Sequence, residues 1–171
     1  MRARGGEWPP EEVIVLSGIG LDSHRFADGR PLVLGGVTIP HEQGLAGHSD
    51  ADVLTHAVID ALLGAAGLGD IGQHFPDDDE QYRDADSLAL LATTVNLVLA
   101  AGLEVVNIDV TVAMERPRLA PHREDIRCRL AQTLGIPGRR VNVKATTGEG
   151  MGFVGRGEGV AAVAVASLRA R

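Results

Sequence analysis

Aromatic side chains are scarce in this 171-residue chain, which has one Trp, one Tyr and three Phe. Ala, Val, Leu and Gly must therefore fill the core, and small side chains bury little area each. Part of the apolar surface is expected to be buried between subunits instead. Cysteine is nearly absent. The single Cys128 excludes an internal disulfide and fits a reducing compartment, with buried filler as its expected role. Positive charge is in deficit: the net charge is -7 and no basic stripe is visible, which argues against a nucleic-acid surface. No stretch approaches the roughly 20 apolar residues of a membrane span, and residues 1–12 lack an apolar signal core. These absences leave a cytoplasmic globular protein whose length suits one domain.

Residues 1–12 carry Gly5-Gly6 and Pro9-Pro10 and read as a disordered leader; residues 13–171 form the domain. The β-branched run from Val13 to Arg25, followed by Asp28-Gly29, reads as a strand entering a turn. Leu32 to Ile39 reads as a second, short strand or hairpin arm. Ser49-Asp50-Ala51-Asp52 opens a helix with Ser49 as its cap and Asp52 in its first turn, and Gly64 to Gly69 end it. A second helix runs from about Asp86 to Ala101. Glu104 to Met114 alternates polar and apolar residues as a strand does. A helix from about Pro121 to Leu134 and strands at Val141–Ala145 and Val160–Leu168 complete the order. Ala and Val on both faces of the last strand suggest cover on both sides, by helices or by a neighbouring subunit. The order points to an α+β sandwich with helices on one face of the sheet.

Chemistry concentrates in a few places. Asp22 and His24 are two apart on a strand, so both leave one face and one metal can bridge them. His56, on a helix face shared with Asp52 and Asp60, is a plausible third ligand. Two imidazoles and a carboxylate with one position open is the donor set of catalytic zinc. Spacing alone also allows two ordinary half-buried histidines with satisfied hydrogen bonds. Asp60, one turn after His56, either fixes that imidazole's tautomer or belongs to a solvated helix face. Gly47-His48-Ser49-Asp50 sets a histidine just before a helix start, where free amides favour a phosphate. Lys144 to Glu149 leads into glycines at 148, 150, 152, 155, 157 and 159. That order fits neither a Walker loop nor a dinucleotide turn. Its hydroxyls, amides and carboxylate suit phosphate oxygens and a hard cation, or else form a turn between strands. Arg116-Pro117-Arg118 and the acidic Phe75-to-Glu80 segment are each either solvated loops or ligand-facing ones.

Taken together, Gly20-Leu21-Asp22-Ser23-His24, Gly47-His48-Ser49-Asp50-Ala51-Asp52, His56, Asp60 to Gly64, Gly69 to Gly72, Phe75-Pro76-Asp77, Asn142 to Thr147 and Gly155 to Gly159 resemble the 2-C-methyl-D-erythritol 2,4-cyclodiphosphate synthase family, from about Ser17 to Leu168. The resemblance implies a phosphorus-oxygen lyase of the non-mevalonate isoprenoid pathway. Such an enzyme converts 4-diphosphocytidyl-2-C-methyl-D-erythritol 2-phosphate to the cyclic diphosphate and releases CMP. It implies a single-domain α+β sandwich with a mixed four-stranded main sheet, helices on one face, assembled as a homotrimer with active sites between subunits. Asp22, His24 and His56 match the zinc ligands, Glu149 the ligand of a second cation, Mg²⁺ or Mn²⁺, and His48 and Thr147 the catalytic positions. Ser49, Asp70, Ile71, Gly72, Phe75, Pro76, Asp77, Asp78 and Asp79 match substrate positions. So do Met114, Glu115, Arg116, Pro117, Arg118, Leu119, Ala120, Thr146 and Thr147 around the cytidine, and Gly148, Phe153 and Arg156 complete the set. Leu21 stands where many relatives carry phenylalanine, and Gly148 replaces a frequent threonine or serine.

Overall fold

A computed structural model describes residues 14–171. The proposed leader over residues 1–12 lies outside the described residues. Strand β1 (Val15–Ala27) runs into a small hairpin, β2 (Leu32–Leu34) and β3 (Val37–Ile39), then a two-residue strand β4 (Gly44–Leu45). Helix α1 (Val53–Ala66), the short α2 (Ile71–His74) and α3 (Ser87–Ala100) follow. The second half is β5 (Leu103–Ala113), α4 (Arg123–Leu134), β6 (Val141–Thr146), the single turn α5 (Gly152–Gly155) and β7 (Gly159–Ala170).

The sheet has five strands in the order β4-β1-β7-β5-β6, one more than the four expected. The extra member is β4, which pairs only at Phe26↔Leu45 and Ala27↔Gly44. Two residues are too few to show a period-two pattern in sequence. The sheet is mixed as expected: β1 and β5 flank β7 antiparallel, and β6 joins β5 in parallel. Leu32 to Ile39 is not one strand but two. Gly35 and Gly36, both at positive φ, turn the chain between them.

Side-chain parity sorts the sheet into two faces. Val160, Ala162, Ala164, Ala166 and Leu168 of β7 are buried beneath the helices with Ile108, Val110 and Val112 of β5. Gly18 and Gly20 of β1 point the same way. A Cβ at Gly20 would lie 2.0 Å from the Ala57 carbonyl oxygen, and one at Gly18 would lie 2.2 Å from that of Ala61. The glycines thus let the α1 backbone rest directly on β1. On the opposite face Ile19, Leu21, Val163 and Val165 are exposed, at 70%, 67%, 39% and 41%. Ile19 pairs with Val165 and Leu21 with Val163, so the four form one apolar patch. The small-residue strand is therefore covered by helices on one face and bare in the single chain on the other. Among the described residues no helix is long and apolar enough to cross a membrane.

The first helix begins three residues later than expected, and its cap is Asp52 rather than Ser49. The Asp52 carboxylate accepts from the Thr55 amide at 3.0 Å and hydroxyl at 2.8 Å, and from the amides of Gly35 and Gly36 at 2.9 and 2.7 Å. It is fully buried. One carboxylate therefore caps α1 and anchors the glycine turn of the hairpin, which Ser49 could not do with a single hydroxyl. Cys128 is exposed rather than buried, because it lies on the outer side of α4 beside Glu124.

Candidate active site

Asp22 and His24 leave β1 on its helix-covered side, near the end where β1 pairs with β7 at Ala162 and Val160. His56 descends from α1, which lies against β1 because of Gly18 and Gly20. Asp22 Oδ2 is 3.0 Å from both His24 Nε2 and His56 Nδ1, and the two nitrogens are 3.3 Å apart. A tetrahedral ion with bonds of about 2.0 Å has ligand atoms about 3.3 Å from one another. The triangle is therefore already the right size for a tetrahedral metal.

Hydrogen bonding behind each ring sets what faces inward. His24 Nδ1 donates to the Ala46 carbonyl at 2.6 Å, since a carbonyl can only accept, and this leaves Nε2 as the nitrogen that faces Asp22. His56 Nε2 lies 2.9 Å from Ser87 Oγ and 3.2 Å from Ser49 Oγ. Asp60, expected to hold His56, instead accepts from the Ile71 amide at 2.7 Å and ties α1 to α2. One turn along the helix is close in sequence but points Asp60 at the next loop.

Burial alone would raise the Asp22 carboxyl, but hydrogen bonds from His24 and His56 outweigh it and hold the group well below the usual carboxylate range. Burial alone would lower His24, but the Asp22 carboxylate outweighs it and raises that imidazole. In the metal-free protein these shifts stabilise the fold within a window. The raised His24 contributes fully below its unfolded value, about 6.5, and its contribution is lost as pH rises through the folded value. The depressed Asp22 contributes above about 3.9 and loses its effect as pH falls through the folded value. Metal-free protein is thus expected to melt highest between roughly pH 4 and 6.5. Asp22→Asn should flatten that maximum; thermal melts against pH check it, and an unchanged profile in the variant would contradict the assignment.

A cavity of about 350 Å³ opens beside the triangle. It is lined by Asp22, His24, His56 and Asp60, by His48 and Ser49, and by Ile71, Gly72, Phe75, Pro76 and Asp77. These eleven residues, all singled out in the sequence, therefore meet in one place. Of their neighbours, Asp70 caps α2 through the Gln73 amide, Asp78 is exposed, and the Asp79 carbonyl lies 3.0 Å from His48 Nε2. The guanidinium of Arg30 donates to the carbonyls of Gly47 and Ser49, on either side of His48. Sequence gave no sign of Arg30, which sits in a hairpin approach 17 residues before that loop. Tyr82 and Leu90 complete the wall without having been anticipated.

The remaining candidates form a second cavity of about 460 Å³. Met114, Glu115, Arg116, Pro117, Arg118, Leu119 and Ala120 line it with Thr146, Thr147 and Glu149. Thr147 Oγ1 donates to Glu149 Oε1 at 2.9 Å, and Glu149 holds a left-handed φ of 52°. Such a conformation is uncommon outside glycine and clusters where backbone strain serves a site. Gly148 donates its amide to Glu115 at 2.7 Å. A Cβ there would meet the Gly155 backbone at 2.5 Å, so this position has no room for a side chain. No residue lines both cavities. Phe153 borders a recess with His24 and Glu158, and Arg156, paired to Glu158 at 2.7 Å, borders another with Glu115 and Arg116.

Gly20 tests the packing that assembles the triangle. Gly20→Ala is expected to cost about 3 kcal/mol, because the methyl meets helix backbone that no rotamer change can clear. Urea unfolding measures it. A loss below roughly 0.5 kcal/mol would show that α1 can move off the strand freely.

Fold and site define a single-domain α+β protein with three donors, placed so that they could hold a metal ion, where its first strand meets its first helix. The YgbB family model matches residues 15–169, and the chain belongs to that family. A 2-C-methyl-D-erythritol 2,4-cyclodiphosphate synthase of Salinibacter ruber is 59% identical over 152 residues, 89% of this chain and 97% of that protein. A solved 2C-methyl-D-erythritol-2,4-cyclodiphosphate synthase in a CDP-bound form aligns with a TM-score of 0.82 at 39% identity, covering 89% of this chain and 99% of that one. The bifunctional IspDF of Campylobacter jejuni gives a TM-score of 0.90 at 42% identity, with 94% of this chain matching 43% of that one.

Proposed function

We propose that this protein converts 4-diphosphocytidyl-2-C-methyl-D-erythritol 2-phosphate to 2-C-methyl-D-erythritol 2,4-cyclodiphosphate and CMP, in the cytoplasm, as a cyclising phosphorus-oxygen lyase of the non-mevalonate pathway. The observation that carries the reading is the donor triangle, with a nitrogen of each imidazole turned toward Asp22 beside a cavity lined by the expected substrate residues. The names of its relatives and the CDP bound to a structural neighbour agree with it.

In the proposed reaction an oxygen of the 2-phosphate forms a bond to the β-phosphorus while the bond from that phosphorus to the bridging oxygen breaks. The bridging oxygen leaves with CMP, so no water is consumed. Asp22, His24 and His56 would hold zinc and Glu149 a magnesium or manganese ion. Bound there, the cations would neutralise the two approaching phosphates, whose repulsion opposes ring closure. His48, fixed by Arg30 through the carbonyls on either side of it, presents its ring at the cavity wall to phosphate oxygens. Ser49, Ile71, Gly72, Phe75, Pro76 and Asp77 line that cavity and, with Asp70, Asp78 and Asp79 beside them, suit the ribose and methylerythritol parts. Met114 to Ala120, with Thr146, suit the cytidine, and Thr147 the phosphates beside it.

The metal cavity and the Thr147–Glu149 cavity share no residue within one chain, and an apolar patch lies bare on the sheet. Both support a homotrimer in which one subunit's triangle faces another's Thr147 loop, and enclosure there would hold the flexible substrate in a cyclising conformation. Phosphorus NMR of a complete reaction is expected to show CMP and a cyclic diphosphate in equal amounts. Release of inorganic phosphate instead would identify a metal-dependent phosphohydrolase and overturn the cyclase reading.

A further inference from the structure

Behind His56 lies a chain of hydrogen bonds that neither the metal reading nor the substrate reading uses. Ser87, the first residue of α3, is fully buried. Its amide donates to Asp50 Oδ2 at 3.0 Å, and its hydroxyl donates to Asp50 Oδ1. Asp50 Oδ1 also accepts from the Asp52 amide at 3.2 Å, and the Asp50 amide donates to the Ala85 carbonyl at 3.1 Å. The carboxylate therefore has the serine by both of its donors. A hydroxyl carries a single proton, so the Ser87 oxygen has only lone pairs left for His56 Nε2 at 2.9 Å. Ser87 therefore accepts a proton at Nε2, and a metal that replaces the proton Nδ1 shares with Asp22 at 3.0 Å finds Nδ1 as the ring's free donor atom, beside His24.

We infer that Asp50 and Ser87 are positioning residues that fix the tautomer and orientation of His56, making Nδ1 its metal-binding atom. The inference rests on the reading of Asp22, His24 and His56 as a metal site. It extends the carboxylate–imidazole–metal arrangement by one hydroxyl, with Ser87 passing the orientation of a carboxylate too distant to touch the ring. It also explains why the helix start at α3 is tied to the loop carrying His48 and Ser49: the residue that caps neither helix holds both against the ligand. Ser49 Oγ is the rival acceptor, but it is farther from the ring, at 3.2 Å, and already accepts from the Ala51 amide.

The test compares the parent with Ser87→Ala, Ser87→Thr, Asp50→Asn and Ser49→Ala, each first shown by urea unfolding to be folded. Nitrogen NMR of the His56 ring in zinc-loaded protein is expected to show the metal on Nδ1 and the proton on Nε2 in the parent, in Ser87→Thr and in Ser49→Ala. Ser87→Ala should give a mixture of this form and its reverse, and Asp50→Asn, which keeps an acceptor but repels the Ser87 amide, a smaller shift to it. Zinc affinity, read by competition with a chromophoric chelator, should fall 10- to 100-fold in Ser87→Ala and recover in Ser87→Thr. An unchanged tautomer and zinc affinity within about twofold of the parent in Ser87→Ala would overturn the inference. A parent that binds no zinc would overturn the metal reading, and the inference with it.

Discussion

His56→Ala is expected to remove zinc and activity together. The variant should retain well under a tenth of the parent's zinc at equal chelator, and the rate of CMP release should fall by about 10³-fold or more, some 4 kcal/mol of transition-state stabilisation. His56 is one of three donors spaced 3.0 to 3.3 Å apart, and the remaining pair cannot enclose an ion by itself. The fold should survive. The α1 cap at Asp52 and the helix's buried Leu54, Ile59, Leu62 and Leu63 are untouched, and Ser87 keeps its bonds to Asp50. Metal analysis, a CMP assay and urea unfolding on one preparation separate these effects. Full activity in a zinc-free variant would remove the triad from the reaction.

Ile19→Asp should have a comparable effect on activity for a different reason. In the single chain Ile19 is 70% exposed on the bare face of β1, so a charge there costs an isolated subunit little. In the proposed trimer that face is covered, and an unpaired carboxylate buried within an interface costs several kcal/mol. Sedimentation should therefore shift from trimer to monomer while far-UV circular dichroism stays unchanged. CMP release should fall by 10²-fold or more, because orienting two halves of a site is worth that much when they are brought together. Val165, the cross-strand neighbour of Ile19, offers a second position for the same change. A monomeric parent, or an Ile19→Asp trimer of full activity, would sink the shared-site proposal.

The parts of this site that could be read in sequence are those set by local periodicity. Asp22 and His24 share a face because strand side chains alternate, and both lie on the helix-covered face of β1. The two central helices were legible for the same reason, through caps and apolar spacing. Choices between nearby residues of equal propensity were not. Ser49 and Asp52 are both good caps three residues apart, and Asp52 wins because its carboxylate also serves two hairpin amides 16 and 17 residues earlier. Asp60 is one turn from His56 and looked like its partner, yet Ser87, 31 residues on, holds the ring. Gly148 read as a mere departure from relatives until the Gly155 backbone was seen to fill the space of a side chain.

The sequence by itself determined which residues could be ligands, that the core would be built of small side chains, and, through the order of its motifs, the family. Those depend on residue type and spacing along the chain, which neighbours in space do not alter. Tertiary structure alone decided that Gly18 and Gly20 bring α1 onto β1, that both imidazoles turn a ring nitrogen toward Asp22, and that the cavity beside that triangle and the Thr147–Glu149 cavity stand apart in one chain. Each is a contact between segments tens of residues apart, fixed by which backbone can approach which and by which donor is left after the others are paired. No pattern along a single strand or helix encodes that.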